Sequence, residues 1–180
     1  FARCGVHGMT AVTALTAQNT VGVTGIHGVP RDFIVEQVRA VAEDIGVDAV
    51  KVGMLADETT IDAVIEALAL VEGAPVVVDP VMISESGATL LDPNAKAALI
   101  ERVLPRTTVL TPNLPEARAL SGLSEGASAL ELGEALRALG PDAVVVTGGH
   151  ADDGADLLVE AAGSLRIDGP RYPDGASHGS

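Results

Sequence analysis

Thr108-Val109-Leu110-Thr111-Pro112-Asn113-Leu114-Pro115-Glu116-Ala117 is the stretch that decides the fold. A short apolar run stops at Leu110, and a polar segment punctuated by prolines follows, suited to starting a helix. Val76-Val77-Val78 ends in Asp79-Pro80 in the same way. Two more runs complete the set: Ala49 to Val52 leads into Gly53-Met54, and Ala143 to Val146 leads into Thr147-Gly148-Gly149-His150. Apolar runs of this kind suit strands covered on both faces, and their alternation with helical stretches predicts βαβ units in a parallel sheet. All four run ends then lie along the carboxyl edge, which is where such sheets bind ligands.

Outward from these runs, Met9 to Leu15 predicts an earlier strand. Ile34, Val38, Val41 and Ile45 recur at helical spacing, as do Ile61, Val64, Ile65 and Leu68, and then Leu132, Ala135, Leu136 and Leu139. Asp57 before Glu58-Thr59-Thr60, and Asp92 with Pro93 at the first helical position, mark helix starts. Asp156 to Glu160 and Ser164 to Ile167 predict a hairpin around Ala161-Ala162-Gly163, which breaks the alternation. With no internal repeat, linker or composition shift, residues 1–180 read as a single domain.

Composition narrows the function classes. A net charge of -14 opposes a nucleic-acid or anionic-membrane surface, because phosphates are bound through clustered Lys and Arg, and Lys51 and Lys96 are the only lysines. Aromatic residues at 2% leave no base-stacking platform. Cys4 is the single cysteine, so the chain forms no internal disulfide and a cytoplasmic location is expected. No apolar stretch reaches the roughly 18 residues of a membrane span.

The run ends carry the chemistry. Asp79 and Glu116 supply the hard oxygens that magnesium favours, directly or through its waters, which suits phosphoryl transfer. Helix capping is an equal rival, since Asn113 is a good N-cap and Glu116 three residues on completes a capping box; Asp79 can likewise be a turn former before Pro80. Thr147-Gly148-Gly149 can offer backbone N–H groups to a phosphate or form a tight turn, with His150 as a phosphate donor or a turn residue. Gln18 can read a heterocycle through its amide, or sit in a loop. Asp152-Asp153-Gly154-Ala155-Asp156 lacks the spacing of a calcium loop and reads as a solvated turn. Neither a Walker A loop nor a Gly-x-Gly-x-x-Gly fingerprint is present, and no histidine pair has zinc-ligand spacing.

Taken in order, six blocks carry a family resemblance: Gly5-Val6-His7-Gly8-Met9, Thr13 to Thr20 (TALTAQNT), Asp48 to Leu55 (DAVKVGML), Val76 to Met82 (VVVDPVM), Thr111 to Ala117 (TPNLPEA) and Gly148 to His150 (GGH). The chain resembles the hydroxymethylpyrimidine and phosphomethylpyrimidine kinases of thiamine biosynthesis, of the ribokinase superfamily. The resemblance implies an α/β fold, a ribokinase-like three-layer sandwich with a mostly parallel central sheet, incomplete at both termini. It implies transfer of the γ-phosphoryl of ATP to 4-amino-5-hydroxymethyl-2-methylpyrimidine and then to its monophosphate. Gln18, Met54 and Val81 would hold the pyrimidine, Asn113, Thr147, Gly148 and Gly149 the nucleotide and phosphates, and Asp79 and Glu116 Mg2+.

Three departures qualify it. Thr147 stands where most relatives carry a lysine, the glycine-rich substrate loop of the family lies upstream of the point matching Phe1, and Ser177-His178-Gly179-Ser180 resembles the start of the motif that leads to the catalytic Cys or Asp. The catalytic residue is therefore expected just after Ser180, and little or no activity is expected of the 180 residues alone. Homodimerisation of the intact parent stays open. A pyridoxal or pyridoxine kinase on the same scaffold and a noncatalytic pyrimidine-binding module are the competing readings.

Overall fold

A computed structural model of the chain describes residues 1–19, 21–82, 90–148 and 154–169. The strands of the main sheet are β3 (Val50–Val52), β4 (Val76–Val78), β5 (Val109–Leu110), β6 (Ala143–Val146), β7 (Asp156–Glu160) and β8 (Gly163–Ile167), hydrogen-bonded in that order. The first four are parallel, in register Val52↔Val78, Val78↔Leu110 and Leu110↔Val144, and β7 and β8 add an antiparallel hairpin. The expected mostly parallel sheet and its hairpin are both there.

Because successive parallel strands are neighbours and advance in one direction, the connecting helices gather on one face of the sheet. These are α2 (Glu58–Ala69), α3 (Ala95–Ala98), α4 (Leu114–Ser121) and α5 (Ala129–Arg137). Strand side chains alternate between faces. Val52, Val78, Leu110, Val144 and Val146 are buried with Ile61, Val64, Leu99, Leu104, Leu120, Leu132 and Leu136, while Val77, Val109 and Val145 on the opposite face are only partly buried. Burying one such Val or Leu contributes about 1.5–3 kcal/mol, so the helix-covered face is the main source of stability. α5 approaches closely because Gly133 has no side chain: a Cβ there would stand 2.6 Å from Val159 Cγ2.

Helix boundaries follow the caps. Asp57 accepts from the Thr60 N–H at 2.8 Å and starts α2 as expected. The start expected at Asp92-Pro93 falls later, with Asn94 as N-cap of α3, because Asp92 instead closes a turn, accepting from the Asn94 N–H at 2.8 Å. After α3 the chain stays helical but changes winding, through a π-helical turn at Leu99–Val103 and a 3-10 turn at Leu104–Arg106. Helix α1 (Arg31–Asp44) packs through Ile34 and Val35 against Ala63 of α2. Of its predicted stripe, Val38 and Val41 are partly buried and Ile45 is exposed, since this contact uses only the start of the helix.

The first strand departs from expectation. Pairing begins at Ala14, not Met9, and β1 (Ala14–Gln18) joins a separate two-stranded antiparallel ribbon with β2 (Val23–Gly28), which the sequence reading missed. The preceding residues are held by a side chain: Gln37 of α1 accepts from the Val12 N–H at 2.9 Å and donates to the Val12 carbonyl at 3.0 Å. The ribbon turns at Asn19, whose side chain accepts from the N–H groups of Val21 and Gly22.

Candidate functional site

Backbone pairing runs past the strands and fixes the residues just beyond them. The Asp79 N–H donates to Val52 O at 2.8 Å, the Thr111 N–H to Val78 O at 2.9 Å and the Thr147 N–H to Pro112 O at 2.8 Å, and Asn113 forms an isolated parallel bridge with Thr147. Met54, Asp79, Asn113, Thr147 and Gly148 are thereby gathered on one edge, as the sequence predicts. Met54, Asp79 and Val81 are partly buried and Gly148 is buried. Gly149 and His150 lie outside the described residues, as do Thr20, Asp152, Asp153 and Ser177 to Ser180.

The capping box is real. Asn113 Oδ1 accepts from the Glu116 N–H at 2.9 Å, and Glu116 Oε2 accepts from the Asn113 N–H at 3.0 Å. This fixes the start of α4 and with it Glu116, which is only 8% exposed. Asp79 is held differently: its Oδ2 accepts from Lys51 Nζ at 3.0 Å, across the β3–β4 pair. Sequence reasoning passed over Lys51; a lone lysine in an apolar strand gives no hint of its partner until the register is known.

The glycine turn is used by the protein itself. Gly148 donates its N–H to Asp156 Oδ1 at 2.8 Å, and a Cβ at Gly148 would stand 1.9 Å from the Ala155 carbonyl oxygen, so the chain just after β6 packs directly on the backbone that enters β7. The two N–H groups expected from Thr147 and Gly148 for a phosphate nest are thus both engaged, one by Pro112 and one by Asp156. Gln18 stands apart, exposed on β1. Thr13, at the base of the ribbon, is tied to the edge by donating from Oγ1 to Met54 O at 3.2 Å. Beyond Met54 the loop passes through Ala56 at φ 49, a conformation L-residues rarely adopt, where the Ala56 carbonyl accepts from the Asp92 N–H at 2.8 Å.

Two carboxylates at the ends of neighbouring strands are a suitable donor set for magnesium, which keeps several waters and takes its remaining ligands from phosphate oxygens. Among the described residues no group of three or more His, Cys, Asp or Glu gathers as for a fully protein-bound ion, and no helix is long and apolar enough to cross a membrane.

Comparison with known proteins agrees with this fold. A hydroxymethylpyrimidine/phosphomethylpyrimidine kinase of Mycobacterium bovis is 44% identical over 97% of this chain, which spans 66% of that relative's length. A phosphomethylpyrimidine kinase crystal structure from Clostridium difficile 630 superposes with a TM-score of 0.84 at 38% identity, covering 93% of this chain and 74% of that one. A Bacillus subtilis pyridoxal kinase in an ADP complex follows at TM-score 0.82 and 31% identity, covering 97% and 67%. The sequence profile described as phosphomethylpyrimidine kinase matches residues 1–180. The chain belongs to the phosphomethylpyrimidine kinase family.

Proposed function

We propose that this protein is a cytoplasmic kinase of thiamine biosynthesis that phosphorylates hydroxymethylpyrimidine and then its monophosphate, with ATP as donor and Mg2+ as the metal. The observation that carries the reading is the placement of two carboxylates, Asp79 and Glu116, at the carboxyl ends of neighbouring strands in a chain of this family. When bound there, magnesium neutralises charge on the transferring phosphoryl group. Asp79 and Glu116 would hold it, Glu116 oriented by its capping box and Asp79 carried on a backbone fixed by the strand pairing.

Asn113, Thr147, Gly148 and Gly149 would flank the phosphates. With the N–H groups of Thr147 and Gly148 already engaged, their part is shape: Gly148, having no side chain, lets the Ala155 backbone pack against the end of β6 and sets the contour of the edge there. Met54 and Val81 would pack on the pyrimidine ring, with Gln18 reading its amino group and ring nitrogen from the ribbon. Phosphoryl transfer of this kind depends chiefly on positioning and charge stabilisation.

The test is incubation of the intact parent protein, rather than residues 1–180 alone, with hydroxymethylpyrimidine, ATP and magnesium, followed by phosphorus NMR. Formation of the mono- and then the diphosphate is expected. A folded protein that binds the pyrimidine without turnover would instead be a binding module. The likeness to a pyridoxal kinase favours one second reading, a vitamin B6 kinase. Pyridoxal and hydroxymethylpyrimidine offered together separate the two, and preferential phosphorylation of pyridoxal would overturn the pyrimidine assignment.

A further inference from the structure

Lys51 belongs to no reading so far, yet it touches the candidate edge. It lies in β3 opposite Val77, and Asp79 follows two residues after Val77, so strand alternation puts Lys51, Val77 and Asp79 on one face. Lys51 Nζ donates to Asp79 Oδ2 at 3.0 Å, with side chains 51% and 33% exposed. An ion pair this open adds little to folding. Lysine is also a poor strand former, and here it interrupts Val50 and Val52 in a chain with one other lysine and a net charge of -14.

The backbone of Asp79 is fixed on both sides: its N–H donates to Val52 O at 2.8 Å and its carbonyl accepts from the Val81 N–H at 2.8 Å. Its carboxylate has only Lys51 as an ion-pair partner among the described residues. Glu116 needs no such help, since its helix start already orients it.

We propose that Lys51 is a positioning residue that holds the Asp79 carboxylate in one rotamer. With Oδ2 engaged by Lys51, Oδ1 is the oxygen left to meet a ligand. The inference rests on the kinase reading, in which Asp79 must be placed before phosphate and metal arrive. Lys51 itself touches no reacting atom.

The test compares Lys51→Met and Lys51→Arg in the full protein, by kinetics and by side-chain scalar couplings that report the Asp79 rotamer in metal-free protein. Lys51→Met is expected to lower kcat by about tenfold to a hundredfold, the scale of a small misplacement, with KM for the pyrimidine within about twofold. Asp79 should average among rotamers in that variant. Lys51→Arg should restore a single rotamer and most of kcat. A Lys51→Met protein with unchanged kcat, or with Asp79 still in one rotamer, overturns the proposal, as does one whose kcat falls only in step with its melting temperature. A wild type without pyrimidine kinase activity, whose Asp79 nevertheless averages on Lys51→Met, would retire the kinase reading and keep the hold of Lys51 on Asp79.

Discussion

Two helices in this protein start with the same device in different surroundings. At α4 the box is Asn113 with Glu116, buried against the sheet edge; at α5 it is Ser128 with Glu131, exposed. The bonds are alike: the Ser128 N–H donates to Glu131 Oε2 at 2.8 Å and the Glu131 N–H donates to Ser128 Oγ at 3.3 Å. The exposed box shows that capping needs no burial. What differs is the place: Glu131 faces solvent, whereas Glu116 is buried at the edge that also carries Asp79. In the proposed function Glu116 has a second task toward metal and phosphate, and its cap aims the group that acts.

The sharpest way to break this comparison is Glu116→Gln, because glutamine still serves a capping box while removing the charge. We expect kcat to fall by about 10²–10³, on the scale of losing one preorganised electrostatic group, with little change in melting temperature. Glu131→Gln should leave kcat alone. Unchanged turnover in Glu116→Gln would reduce Glu116 to a cap and erase the difference between the two boxes.

Next comes Gly148→Ala at the same edge. A Cβ 1.9 Å from a backbone oxygen forces the strands apart, and overpacking of this kind costs about 1–3 kcal/mol, readable as a lower urea midpoint. Smaller still are Asn113→Ala and Ser128→Ala, each expected to cost about 1 kcal/mol as a lost cap. The loss at Asn113 should be the larger, because partly buried N–H groups are less easily hydrated. Equal losses would argue that burial does not distinguish the boxes.

The smallest effect is a pH dependence. The Ser128 N–H, and after it the Ser128 hydroxyl, hold the Glu131 carboxyl below the usual glutamate range. A folded-state pKa below the unfolded value gives stability that is present above the unfolded pKa and is lost as pH falls through the folded one. Melting temperature measured from about pH 6 down to about pH 3 should therefore fall less in Ser128→Ala than in wild type. Parallel acid limbs would remove this contribution.

The carboxyl edge was legible because its strands are short, mostly apolar runs followed by turn-forming segments, as at Asp79-Pro80 and Thr111-Pro112. Asn113 with Glu116 announced both a cap and a candidate site. The ribbon was harder to see: Val23 to Gly28 carries two glycines and no clean alternation, although Asn19 and Gly22 marked its turn. The π turn at Leu99–Val103 left no trace, because five residues are too few to separate one helical period from another. The hold of Lys51 on Asp79 spans 28 residues of sequence and exists only once β3 and β4 are in register.

The ribbon's foot has a mechanical meaning. Gln37 grips Val12, Thr13 grips Met54, and the Val29 N–H closes the foot by donating to the Thr13 carbonyl at 3.0 Å. Above this foot the two strands pair with each other and are mostly exposed. Gln18 is five residues from Thr13, or roughly 16 Å along an extended strand. The ribbon is thus a lever with its pivot beside Met54. A tilt of about 10° at the pivot carries Gln18 through roughly 3 Å, the reach of one hydrogen bond.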